Sequence, residues 1–186
     1  MKKISLLVII VFTLAGCTEQ VSKEKTENKD VSTENFSKNK DAKLSDLVSK
    51  YNQKIDELNW TGSEPQKIEL ADIDEPIIEG NGDYTRELIF EKDNSNTAHY
   101  TVRAINEEDG SFKGVRVFTA SDNGKTSPKG IGSIVAFLLT CDSSSEELEG
   151  FLKSSEKEKD LSNAQCYINI STDTSLNAFT LMIKPK

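Results

Sequence analysis

The chain has 186 residues, 29% of them charged, and a formal net charge of −8. This length leaves room for about one domain once an export signal and a polar segment are set aside. The charge is unevenly distributed: residues 1–17 carry +2, residues 18–43 sum to zero, and residues 44–186 therefore carry −10. Nucleic acid is not an expected partner, because its phosphates repel an acidic surface, and the same charge opposes contact with anionic headgroups.

The first seventeen residues have the pattern of an export signal. Lys2 and Lys3 give a positive start, residues 4–15 are almost entirely apolar, and small residues precede Cys17. That order is typical of a secretory signal peptide. A membrane-spanning helix is not expected, since about 12 residues rise only about 18 Å and the hydrocarbon core is about 30 Å thick.

The end of this signal, Leu14-Ala15-Gly16-Cys17, resembles the lipobox of bacterial lipoproteins. The resemblance implies that residues 1–16 are removed and that Cys17 becomes the mature N-terminus. It also implies a diacylglyceryl thioether on Cys17, with fatty acyl chains such as palmitate, and a location on the extracytoplasmic side of the cell membrane, within the envelope. Two or three chains are needed for stable anchoring. The alternative is ordinary signal cleavage that leaves Cys17 as a thiol.

Residues 17–43 are predicted to form the lipidated N-terminus and a disordered tether. Ser, Thr, Asn, Lys and Glu dominate this segment, and such a composition cannot bury enough apolar surface to offset the entropy of ordering. A flexible chain of this length spans about 25–30 Å. Residues 44–186 are then expected to form a single globular domain.

The first half of that domain is predicted to be one helix followed by an antiparallel meander. Apolar residues at spacings of three and four indicate an amphipathic helix over Leu44–Asn59. Segments of strand length, rich in β-branched and aromatic residues, follow it and are joined by short turns such as Asp109-Gly110. These segments are Lys67–Ile73, Tyr84–Lys92, Thr97–Asn106 and Phe112–Ser121.

The second half predicts two helices and two strands. Ser127-Pro128 is a helix start, and Ser143 and Ser144 stand three residues before Glu146 and Glu147, which is the spacing of a capping box. The inner face of that second helix is predicted to hold Leu148, Phe151 and Leu152. A charged loop at 154–162 precedes strands at Ala164–Ser171 and Leu176–Lys184.

The predicted fold class is therefore α+β, with an antiparallel sheet, one N-terminal helix and two helices inserted before the last two strands. The element order resembles cystatin-type and TATA-binding-type sheets. It also resembles small exported bacterial domains with no assigned activity.

Two cysteines remain besides Cys17. Cys141 continues the apolar stripe of a predicted helix and Cys166 shares a strand face with apolar residues, so both are predicted to point inward. In an exported protein they are a candidate disulfide. Two buried thiols are equally compatible with the sequence.

Few residues of the sequence suggest a catalytic or metal-binding role. His99 is the only histidine, and strand alternation predicts that it faces solvent. An acidic run does not have the ligand spacing of a calcium loop and is expected to be a solvated edge; it comprises Glu69, Asp72, Asp74, Glu75, Glu79 and Asp83. Neither a metal site nor a cofactor nor a catalytic residue is predicted.

Two function classes remain open. The favoured one is a lipid-anchored binding protein whose partner is an envelope protein, a peptide or a small ligand. The alternative is a cell-envelope hydrolase that uses two carboxylates, with candidates Asp72, Asp74 and Glu79. A candidate surface patch is predicted on the sheet face away from the helices, where Arg86, Arg103 and Arg116 would line up near His99. Ordinary sheet-surface charge is the competing interpretation.

Overall fold

A computed structural model describes residues 42–62, 64–73, 76–92, 97–122 and 125–186. The predicted signal peptide, Cys17 and the tether up to residue 41 lie outside the described residues, and so does Asp74. No helix within the described ranges combines the length and the apolar character needed to cross a membrane.

Three helices and nine strands make up the described part of the chain. The helices are α1 (Ala42–Glu57), α2 (Pro128–Thr140) and α3 (Ser145–Lys153). The strands are β1 (Ile77–Ile78), β2 (Tyr84–Lys92), β3 (Ala98–Asn106), β4 (Phe112–Thr119), β5 (Ser121–Asp122), β6 (Lys125–Thr126), β7 (Glu158–Asp160), β8 (Cys166–Asp173) and β9 (Ala178–Pro185).

Seven of these strands form one antiparallel sheet, in the order β1-β2-β3-β4-β9-β8-β7, while β5 and β6 form a separate ribbon. The sheet consists of two meanders, each made of strands that pair with their neighbours in sequence. Pairing of β4 with β9, for example Val117 with Leu181, joins the two meanders. The predicted α+β class, with its N-terminal helix and its two helices before the last strands, is confirmed.

All three helices pack on one face of this sheet. That face presents buried side chains in alternation, among them Tyr100, Val102 and Ala104 of β3. They belong to the same hydrophobic cluster as the buried residues of α1, α2 and α3, and the rings of Tyr51 and Phe137 stack with their centroids 4.2 Å apart. Burial of one sheet face under helices is the usual solution for an α+β domain. The other face is left without a helix among the described residues.

A chain of buried hydroxyl groups connects α1, α2 and β3. Ser133 Oγ lies 2.7 Å from the hydroxyl of Tyr51 and also hydrogen-bonds the hydroxyl of Tyr100, and Tyr51 donates to the carbonyl of Gln66 at 2.9 Å. Burial raises the pKa of both tyrosines, so they stay protonated. Satisfied buried hydroxyls of this kind fix the packing of a core.

The predicted strand at Lys67–Ile73 is wrong. This stretch is an irregular segment with one short 3₁₀ turn at Leu70–Asp72. The side-chain amide of Asn52 on α1 donates to the carbonyl of Ile68 and accepts from its N–H, both at 2.9 Å. Both backbone groups that a strand ladder would use at Ile68 are therefore satisfied by the helix.

Two details after α2 also differ from expectation. The charged loop predicted at 154–162 contains the edge strand β7, which pairs with β8 although it has no apolar alternation. Leu152, predicted to face inward, is 40% exposed, whereas Leu148 and Phe151 are buried. The capping box of α3 is present, with Ser144 and Glu147 exchanging side-chain-to-backbone hydrogen bonds.

Candidate functional site

The sheet surface that points away from α1–α3 is called the open face here. Its side chains alternate with the core residues along the strands, with an interruption at the irregularity between Glu87 and Ile89 of β2. Members that the strand pairing places next to one another are Glu87 and Phe90 of β2, Thr101 and Arg103 of β3, Arg116 and Phe118 of β4, Thr180 and Met182 of β9, and Asn169 of β8.

Two arginines stand side by side on the open face. Arg103 and Arg116 are direct partners in the β3–β4 register, and like charges opposite each other destabilise a sheet. Glu79, from the β1–β2 connection, lies between them. Its Oε1 accepts from Arg103 Nη1 at 2.7 Å and its Oε2 accepts from Arg116 Nη2 at 2.5 Å. These three residues are called the Glu79 bridge.

The Glu79 bridge is largely shielded from water. The side chains of Glu79, Arg103 and Arg116 are 17%, 25% and 22% exposed. Partial burial raises the pKa of Glu79, but the ion pairs with Arg116 and Arg103 lower it more, so its pKa lies below the ordinary value. Glu79 therefore stays ionised at neutral and mildly acidic pH.

The lowered pKa of Glu79 argues against only one of the two roles in the predicted carboxylate pair, that of the proton donor. A catalytic carboxyl that donates a proton needs a raised pKa, whereas the pKa of Glu79 is lowered. The side chain of Asp72 and all of Asp74, the other two candidates, lie outside what the structure describes. Within the described ranges no three His, Cys, Asp or Glu side chains are grouped so that they could hold a metal ion.

An open depression adjoins the Glu79 bridge. Its volume is about 440 Å³, within the range of small-ligand sites, about 300–1,000 Å³. Its lining residues include one aromatic residue, two threonines and both arginines. The lining residues are Ala98, Thr101, Arg103, Arg116, Phe118 and Thr180. The Nε of Arg103 is buried and has no hydrogen-bond partner among the described residues.

The predicted alignment of three arginines needs a correction. Arg86 is paired with Ala104, so it points to the helix side of the sheet, where it is buried. Glu87 takes the place opposite Arg103. His99 shares the open face by alternation but is not among the residues that line the depression. The arginine patch on the open face thus consists of Arg103 and Arg116, and Glu79 bridges them.

A second cavity has a larger volume, but its lining gives less support for a ligand site. A groove of about 550 Å³ lies between α1, the end of α2 and the neighbouring ends of β8 and β9, and is bordered by Lys50, Lys54 and Lys186 among others. Lys50 is paired with Asp46 at 2.8 Å and Lys54 with Glu57 at 2.7 Å within the same helix. Exposed pairs of this type contribute little energy and little specificity.

Cys141 and Cys166 form a disulfide, with Cα atoms 5.8 Å apart. It joins the end of α2 to the start of β8, and both residues are buried. Asn163 reinforces the junction, because its side chain donates to the carbonyl of Cys141 at 2.6 Å and accepts from the N–H of Cys166 at 3.1 Å.

Comparison with known proteins gives no match: no protein-family model, no curated protein and no solved structure is significantly similar to this chain. The chemistry of the open face is therefore the basis for a functional proposal.

Proposed function

We propose that the protein is a lipid-anchored binding protein of the extracytoplasmic side of the membrane, and that the open face holds its ligand. The observation that carries this proposal is the depression beside the Glu79 bridge. A concave site with an apolar lining and a few convergent polar groups is typical of a ligand-binding surface. Its two arginines come from neighbouring strands, and regular elements fix functional groups more rigidly than loops do.

The lipobox resemblance at residues 14–17 supports the proposed location. The net charge of −10 on residues 44–186 opposes direct contact of the domain with anionic lipids. The acyl chains on Cys17 would then provide the membrane attachment. An anchored domain in this position would meet envelope proteins, peptides and small ligands.

Replacement of Cys17 by serine is expected to abolish incorporation of labelled palmitate, because thioether formation needs the thiol. The measurement is the label on the purified full chain, together with its intact mass. Thr18→Ser is the matched control, since it changes the next residue and keeps Cys17; it should label like the wild type. Labelling of Cys17→Ser at the wild-type level would contradict the proposed anchor.

A photo-crosslinking residue at position 180 is expected to capture the ligand in intact cells, because Thr180 lines the depression and is only partly buried. The same residue at position 49 is the control, since Ser49 is exposed on α1 and lies on the helix side. Adducts are read by mass spectrometry. Failure to form an adduct at position 180, or equal adducts at both positions, would contradict a ligand site on the open face.

A further inference from the structure

We propose that the ligand of the open face presents a carboxylate, and that this carboxylate exchanges with Glu79 on the Arg103–Arg116 pair. The inference rests on the proposed binding function and names the chemical class of the ligand. Glu79 then acts as the internal occupant of a carboxylate subsite, and it is displaced when the ligand binds.

The first support is that two adjacent arginine side chains repel each other unless an anion lies between them. Two guanidinium groups are placed opposite each other by the β3–β4 register, and planar guanidinium groups match carboxylates in two-point hydrogen bonds. Glu79 makes one hydrogen bond to each arginine. Glu87 approaches Arg103 only to 3.6 Å, and Arg103 Nε has no hydrogen-bond partner among the described residues. The Nε of Arg103 is buried, so a ligand carboxylate reaches these donors only after Glu79 has moved, and it then takes the place of Glu79.

The second support is the weak attachment of the segment that carries Glu79. This segment enters through β1, an edge strand with only two ladder pairs, Ile77 with Thr85 and Ile78 with Tyr84. Both isoleucines are exposed, at 55% and 64%. A segment with few buried contacts opens locally at low cost. Glu79 also accepts a hydrogen bond from Thr85 Oγ1 at 3.2 Å, so residues 77–83 lift away once this bond and the two ion pairs break, while the central strands remain paired.

The third support is the direction of approach. Arg103 and Arg116 line the depression, whereas Glu79 does not, so a ligand seated in the depression lies next to both arginines and can place its carboxylate where that of Glu79 was. Phe118, Thr101 and Thr180 are positioned to contact the rest of the ligand. The lining fits a carboxylate carried on a short, partly apolar group.

The energetics predict weak binding to the wild type. An internal group competes at an effective concentration of roughly millimolar or more, so a free carboxylate must displace Glu79. Repulsion by the acidic domain is confined by screening to about 8 Å at physiological ionic strength. Removal of the Glu79 charge is therefore expected to raise affinity by about tenfold or more.

The test is calorimetric titration of the purified full chain in detergent with two probes. One probe is succinate, a small free carboxylate, and the other is a peptide with blocked termini and a single glutamate, compared with its glutamine counterpart. Glu79→Gln should bind at least one carboxylate probe about tenfold more tightly than the wild type. The probe that binds identifies the source of the carboxylate, and the glutamine peptide should not bind.

Glu87→Gln is the matched control, because it removes a carboxylate from the same face that contacts Arg103 but not Arg116. Its gain in affinity should be much smaller than that of Glu79→Gln. Equal gains, or none for either variant, would overturn the inference. Tight binding that persists in Glu79→Gln combined with Arg103→Gln and Arg116→Gln, with the fold checked by circular dichroism, would also overturn it.

Hydrogen exchange of the wild type gives a readout that needs no variant. Lifting of residues 77–83 must open the β1–β2 ladder, in which Ile77 pairs with Thr85 and Ile78 with Tyr84. Saturating probe should accelerate exchange at the ladder amides; unchanged exchange there would overturn displacement of Glu79. A crosslinked ligand at position 180 that lacks a carboxylate would overturn this inference alone, while absence of any adduct there would overturn the binding function.

Discussion

Replacing Cys141 and Cys166 together by alanine is expected to lower the free energy of unfolding by about 3–4 kcal/mol. The disulfide closes a loop over a sequence separation of 25 residues, and that loop contains α3 and β7. Without the bond the unfolded chain gains freedom, whereas the folded chain keeps its other contacts. The measurement is urea unfolding of the full chain and of the double variant under the same conditions.

Reductant provides the control for this result. It should lower the stability of the wild type towards that of the double variant and leave the double variant unchanged. Titration of thiols on the denatured, unreduced, lipidated protein should find none, since Cys17 would carry the thioether. Two titratable thiols would contradict the disulfide, and so would equal stability of the two proteins in the absence of reductant.

The helices and the central strands were predictable because local sequence determines them. The apolar stripe of α1, the Ser127-Pro128 start of α2 and the Ser144 capping box of α3 are all short-range signals. The segment at Lys67–Ile73 and strand β7 were not predictable in the same way. Asn52 satisfies the backbone of Ile68 across 16 residues, and β7 owes its pairing to β8 rather than to its own pattern.

The pairing of Arg103 with Arg116 could be predicted from the sequence. A turn centred between Asp109 and Gly110 places Arg103 opposite Arg116, and this is the register found. The same counting fails for Arg86. If Lys92 stood opposite Thr97, Arg86 would stand opposite Arg103, but Lys92 pairs with Ala98 and Arg86 with Ala104, and β2 has two further irregularities between them, at Glu87/Ile89 and at Glu91/Lys92. A change of register by one residue transfers a side chain to the other face of the sheet.

The contact of Glu79 with the two arginines could not be predicted from the sequence. Glu79 contacts arginines that are 24 and 37 residues away, and its neighbourhood in the sequence is an acidic run with no distinguishing spacing. Only the path of the β1–β2 connection brings its carboxylate onto the open face. The feature on which the ligand proposal depends is thus a tertiary contact, whereas the strand that carries Arg116 and Phe118 is defined locally.

Replacing Gly130 by alanine is expected to destabilise the protein by about 1–3 kcal/mol, the usual range for overpacking a core. The added Cβ would lie 2.4 Å from Thr119 Oγ1 and 2.6 Å from Thr119 Cβ. Thr119 is fully buried on β4, between Tyr100 and Phe179. Neither α2 nor β4 can therefore give way cheaply at this close approach.

Gly150→Ala is the matched substitution, and the opposite sign is expected. Gly150 lies inside α3 with nothing within 4 Å of an added Cβ, so alanine should stabilise the helix by about 0.5–1 kcal/mol. Urea unfolding of both variants measures the contrast. Equal effects would mean that α2 does not press on β4. Arg116 and Phe118 lie on β4, the same strand as Thr119. The contact of Gly130 with Thr119 on the helix side therefore also helps to hold the open face in position. Gly130→Ala should accordingly weaken binding of a carboxylate probe, whereas Gly150→Ala should not.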